Sequence, residues 1–200
     1  MGVYWYSNSL AAACELPRKQ AMNIFYLSTD AVQAAQWMVD RHVVKMILES
    51  AQLLSTAHRL LDGREVPGKS KTGRNVKRWV LDDARDSVVY QATHVNHPSA
   101  IWARESVENY NWLVDHFFAL GDEYTYRYNK KHKCFGELSY QLQSPPKNLS
   151  NYDMTKMPSA MDVKYIVGDD PVANYRNYYK IGKSNFHSWK NRQPPQWIAE

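Results

Sequence analysis

Residues 40–62, DRHVVKMILESAQLLSTAHRLLD, repeat their apolar positions at helical spacing, with no Gly or Pro among them. At about 100° per residue, Val43, Ile47, Ala51 and Leu54 share one side. His42, Lys45, Glu49, Gln52 and Thr56 form a polar stripe away from it. The pattern predicts a long amphipathic helix from Asp40 that Gly63 stops. Before it, STDAVQAAQWMVD offers Ser28, Thr29 or Asp30 as the cap of another helix. NIFYLS, following Met22, reads as a short strand or an extended lead-in.

Downstream, Pro98 suits a first helical turn, with Asn96 or His97 near the cap. Ile101, Val107, Tyr110, Leu113, Val114 and Phe117 then support one long helix, which Gly121 ends or kinks. QSPPKNLSNYDMTKMPSAMD is loop by its Pro, Ser and Asn content, and a last helix is expected over about residues 171–190. Residues 1–21 show no period and read as an irregular extension. With no internal repeat and few alternating runs, the expected fold is mostly α. It consists of a single helical domain, residues 22–200, with long basic loops and the irregular N-terminal extension 1–21.

Composition sharpens this only in part. Apolar residues make up 44% of the 200 and aromatics 13%, which is globular. A net charge of +5 makes nucleic acid a plausible partner. Cys14 and Cys134 cannot make a disulfide framework, which favours a reducing compartment. No apolar run approaches a membrane span, and the start lacks a signal-peptide pattern, so the expected location is cytoplasmic, with no membrane partner.

GREVPGKS, residues 63–70, fits the pattern of a phosphate-cradling loop. Such a loop needs a buried strand before it and a helix after it. Here a helix precedes it and KTGRNVKRW follows, so the segment reads as a flexible basic connector. Arg64, Lys69, Lys71, Arg74, Lys77 and Arg78 face only Glu65, and Lys69, Lys71 and Arg74 are candidates for phosphate contact. Lys130, Lys131 and Lys133, in YTYRYNKKHK, form a second basic cluster among aromatic rings. Tyr175 through Lys190 has the same character. His94 and His97 lack a third ligand at metal-binding spacing, so no metal site is expected.

On the helix from Asp40, a base, an amine and an acid (His42, Lys45, Glu49) could move protons or form and break an imine. The plainer reading is a solvated helix face carrying a Lys45–Glu49 ion pair of about 0.3–0.5 kcal/mol.

DRHVVKMILE resembles the D-x-H-x-x-x-x-x-x-E of the pyrimidine-dimer DNA glycosylases of the endonuclease V type, known from bacteriophage. Asn96-His97-Pro98 resembles an N-H-P of bacterial relatives, again ahead of a helix with an early arginine, here Arg104. The chain is also similar to uncharacterised proteins of large bacteriophages. The resemblance implies an all-helical, cofactor-free enzyme that flips a base out of distorted double-stranded DNA. Such an enzyme attacks the sugar C1′ with its N-terminal amine. Glu49 matches the assisting glutamate and His42 the histidine near the DNA, while Asn96, His97, Arg104 and Gln52 would orient the substrate.

Two arginines of the family pattern are replaced, by Leu48 before the glutamate and by Gln52 after it. The amine of Met1 also precedes a 21-residue extension. Either the functional chain begins near Met22 or Lys45 supplies the amine. Two other classes stay open: a phage-type enzyme that modifies bases or handles nucleotides on this scaffold, and a non-catalytic nucleic-acid-binding protein.

Overall fold

The computed structural model describes residues 22–70 and 72–199. The extension 1–21, with Cys14, and Lys71 lie outside the described residues. The described residues contain six α-helices and one hairpin, joined by loops and short single-turn helices: α1 (Ala31–Trp37), α2 (Asp40–Asp62), β1 (Arg64–Lys69), β2 (Asn75–Val80), α3 (Pro98–Trp102), α4 (Val107–Tyr128), α5 (Lys133–Leu142) and α6 (Pro171–Asn177). The protein is mostly helical, as the apolar spacing predicts. No described helix is long and apolar enough to cross a membrane.

α2 forms as its pattern dictates. Val43, Ile47, Ala51 and Leu54 are fully buried, and α4 and α5 pack against the helix. α1 starts on Asp30, whose carboxylate accepts from the Gln33 amide at 2.7 Å, and lies on α4. The N-terminus of α2 is clamped by charge. Arg127, buried near the end of α4, donates to Asp40 at 2.8 Å, to Glu123 at 2.6 Å and to the Gln36 carbonyl at 2.9 Å. Asp40 also accepts from the Lys190 amide and the Ser188 hydroxyl, which ties the C-terminal tail over the same helix end.

Four expectations are corrected. The long helix through Pro98 is two helices, because Ser106 turns extended and caps α4 through the Asn109 amide. Gly121 does not end α4, which runs on to Tyr128; it admits the Phe135 ring of α5, which a Cβ there would meet at 2.7 Å. The last helix stops at Asn177 and widens into a π-turn, Tyr178–Gly182, instead of reaching residue 190. Gly182 sits there against the Tyr178 and Tyr165 rings, with no room for a side chain. Finally, most of GREVPGKS is not a connector but the first strand of an antiparallel hairpin.

NIFYLS is an extended lead-in with no strand partner among the described residues, and it is buried throughout. Phe25 there adopts a left-handed backbone, with φ of 57°. A bulky residue in that region costs on the order of 1 kcal/mol or more and persists only where its surroundings enforce it. Asn23 enforces it here, its Oδ1 accepting from the amides of both Ile24 (2.8 Å) and Phe25 (3.0 Å).

Candidate active site

The carboxylate of Glu49 is the centre of the arrangement. Its position on α2 puts it at the rim of the core, and the residue is only 7% exposed. One oxygen, Oε2, accepts from the backbone N–H of Asn23 at 2.9 Å, and Lys45 Nζ lies 2.8 Å from the other, Oε1. Lys45 is one turn back along the helix and its side chain is 35% exposed, so the pair opens toward solvent through the lysine. Asn23 is held in turn by its Nδ2, which donates to the Ala160 carbonyl at 2.9 Å. The carboxylate thus sits between two nitrogens of different kinds, a peptide amide and an ammonium.

His42 does a different job. Its ring stacks on Phe25 at 4.3 Å and 13°, and Nδ1 lies 2.5 Å from the Tyr179 hydroxyl. Burial pushes its pKa down to about 3, helped by the nearby charges of Lys183, Lys45 and Arg41. At neutral pH it is therefore an uncharged ring, locked in the core as a support for the lead-in. Burial also raises the Tyr179 phenol well above its usual range. The three residues of the D-x-H-x-x-x-x-x-x-E pattern are divided in their roles: Asp40 clamps Arg127, His42 carries Phe25, and Glu49 faces the Asn23 nitrogen.

Positive charge gathers on this side of α2. Lys183, 6% exposed, holds its ammonium over Tyr178 at 4.7 Å and over Phe25 at 5.6 Å. The Arg41 guanidinium lies over the Phe186 ring at 4.6 Å. Cations resting on ring faces keep their charge available to an anion, and among the described residues no carboxylate neutralises these two at contact.

Gln52, half-buried, follows Glu49 on the stripe, and Thr56 follows Gln52. Thr56 is fully buried: its hydroxyl donates to the Thr93 carbonyl at 3.2 Å and accepts from the Thr93 amide at 3.1 Å. This moors the loop that carries Asn96 and His97 about two turns from Glu49. Within the loop, His97 caps α3, its Nδ1 accepting from the Ser99 amide at 3.2 Å. Arg104 donates to the carbonyls of Ala100 (2.6 Å) and Val95 (2.8 Å). Both side chains are spent on the loop's own backbone, and Asn96 is the member left exposed.

Lys69 and Arg74 are exposed on the hairpin, where Lys69 bonds the Asn75 side chain at 2.5 Å. Lys130, Lys131 and Lys133 are exposed around the α4–α5 junction, where Lys133 lies 3.8 Å from the Glu137 carboxylate. Among the described residues no group of three His, Cys, Asp or Glu could hold a metal ion. A groove of about 660 Å³ lies elsewhere, between α1 and α4, lined by residues such as Asp115, Phe118 and Tyr126 and by none of the candidates.

Sequence reasoning missed Asn23, Phe25, Arg41 and Lys183. The one available signal was an asparagine opening an apolar lead-in, a polar group with a backbone to hold.

Compared with known proteins, the chain matches no family model, no curated protein and no solved structure. The geometry of the site therefore carries the functional reading.

Proposed function

We propose that the protein is a base-excision enzyme of the glycosylase/AP-lyase type, acting on a nucleotide flipped out of damaged or modified double-stranded DNA. One observation carries the reading: a nearly buried carboxylate, Glu49, touches two nitrogens, one on each oxygen. In this chemistry an amine lone pair attacks C1′ of the deoxyribose, and the glycosidic bond breaks with its electrons leaving on the base. Opening of the sugar ring then gives an imine to the attacking nitrogen. Loss of a C2′ proton expels the 3′ phosphate. Glu49 accepts the proton from the amine and stabilises the cationic sugar.

Two nitrogens qualify on position. Lys45 Nζ reaches solvent and becomes a nucleophilic amine once its ammonium passes a proton to the Glu49 carboxylate it touches. The nitrogen of Asn23 is an amide in this chain, its lone pair delocalised into the peptide bond. In a chain beginning at Asn23 the same nitrogen would be an α-amine against Glu49. Arg41 and Lys45 supply positive surface for the backbone phosphates beside the sugar, and the buried Lys183 adds positive charge behind it. No cofactor enters the mechanism, and the expected setting is cytoplasmic, in the host if the protein is phage-encoded.

Borohydride trapping on duplex DNA with an abasic site tests the reading. The full chain, its Lys45→Ala form and a chain beginning at Asn23 are compared. A covalent adduct that disappears in Lys45→Ala assigns the lysine. An adduct made only by the chain beginning at Asn23 assigns that nitrogen. No adduct from any form overturns the excision reading and leaves a nucleic-acid-binding protein, for which the i,i+4 geometry of the Lys45–Glu49 pair is an ordinary surface feature.

A further inference from the structure

The hairpin is the part of the fold that the helical core does not use. β1 and β2 pair antiparallel from Arg64↔Val80 to Lys69↔Asn75, directly after α2 ends. Among the described residues from Arg64 to Val80 there are five cations, Arg64, Lys69, Arg74, Lys77 and Arg78, against one carboxylate, Glu65. Strand alternation divides them. Arg64 and Arg78 share one face, Lys69 and Lys77 share the other, and Arg74 stands at the turn. A ribbon cationic on both faces and at its tip suits an anionic partner that surrounds it.

Its root is rigid. Arg59, 1% exposed on α2, donates to the Trp79 carbonyl at the end of β2 (2.9 Å) and to the carbonyls of Asp86 (2.7 Å), Val89 (2.9 Å) and Tyr90 (3.2 Å). It also pairs with the Asp86 carboxylate. The buried guanidinium therefore fixes the direction in which the ribbon leaves the body, while Lys69, Arg74 and Lys77 remain exposed.

We propose that this ribbon is an arm that enters a groove of double-stranded DNA, its cations meeting the phosphates on either side. A two-stranded β-ribbon fits a major groove roughly 12 Å wide. From Glu49 to the ribbon's root at Gly63, α2 rises about 21 Å at 1.5 Å per residue. One turn of duplex is about 34 Å. A duplex seated with a nucleotide at Glu49 thus meets the arm a little over half a turn away. The inference rests on the DNA reading above and adds the surface that grips the duplex beside the site.

The experiment is a salt titration of binding to a 20-base-pair duplex and to one of its single strands. The proteins are the full chain, a triple Lys69→Gln, Arg74→Gln, Lys77→Gln variant, and Glu65→Gln. Removing a cation that meets a phosphate should lower the slope of log K against log salt by about one. The triple variant should show a slope about three units shallower and at least tenfold weaker duplex affinity at low salt. Glu65→Gln should move both the opposite way, a gain that misfolding cannot mimic. Equal slopes for the full chain and the triple variant overturn the arm while leaving the excision reading intact. An equal weakening on the single strand overturns the groove. A full chain that binds no duplex at low salt overturns the DNA reading itself.

Discussion

Asn23 and Glu49 are 26 residues apart in sequence, yet the backbone nitrogen of one lies 2.9 Å from the carboxylate of the other. This hydrogen bond joins the lead-in to α2 and gives Glu49 a surrounding that a solvated helix face does not provide. Glu49→Gln keeps the shape and removes the negative charge. In a trapping or strand-cleavage assay it should lower the rate about 10²–10⁴-fold, the usual contribution of a positioned proton-transfer group. Duplex affinity should change less than threefold. A variant that cleaves at the full rate would reduce Glu49 to a structural anchor.

Asn23 is expected to matter for stability through its side chain. Oδ1 accepts from two amides and Nδ2 donates to Ala160, all around a phenylalanine held left-handed. Asn23→Ala removes three side-chain hydrogen bonds, leaving two buried amides without that acceptor, and should cost about 3–4.5 kcal/mol in urea unfolding, at roughly 1–1.5 kcal/mol per hydrogen bond. Asn96→Ala, at an exposed position, should stay within about 0.5 kcal/mol. Equal effects of the two would mean that the lead-in is not held by Asn23.

Much of the scaffold was legible because it depends on spacing within one segment. α2 follows from an uninterrupted apolar repeat and α1 from a capping aspartate. The hairpin was hidden because its strands are charged on both faces, and Gly73, the left-handed residue at its turn, sits among cations that read as loop. The continuous helix expected after Pro98 failed because Ser106, a strong cap, outranked the apolar positions on either side of it. Of the candidate site, the Lys45–Glu49 pair was visible as an i,i+4 spacing. The Asn23 nitrogen against Glu49 and the Lys183 ammonium over Phe25 come from opposite ends of the domain, where no local period can point to them.

Acid should unfold this protein well above the carboxylate range. Burial holds His42 at about 3, His58 at about 4 and His116 at about 3, against an unfolded value of about 6.5. Below pH 6.5 the unfolded chain takes up protons that the native rings refuse, so stability falls with pH over the window from about 6.5 to about 3. At pH 5 each such histidine removes on the order of 2 kcal/mol. His116 allows a direct check, since neither ring nitrogen has a hydrogen-bond partner among the described residues and the ring stacks on Trp112 at 5.1 Å. His116→Phe should keep the stack, raise stability at pH 7 by about 1 kcal/mol and flatten the decline between pH 6.5 and pH 5. A melting temperature that fell equally steeply in the variant would show that His116 does not carry its share of the acid sensitivity.

Arg59 and Arg127 should hold the two ends of α2 independently. Its guanidinium is buried and committed to four carbonyls and the Asp86 carboxylate, so Arg59→Met leaves those acceptors without their donor. Breaking such a buried network costs about 3–5 kcal/mol. The effect should show first as faster amide exchange in β2 and around Val89, because the core beneath α2 holds without that charge. Arg127→Met removes the other buried guanidinium, which clamps the opposite end of α2 against Asp40 and Glu123. It should cost a comparable amount and loosen the C-terminal tail, leaving the hairpin protected. Hydrogen exchange on both variants reads the two ends of one helix independently. If Arg59→Met loosened the tail as much as the hairpin, the root of the ribbon would not be where its rigidity comes from.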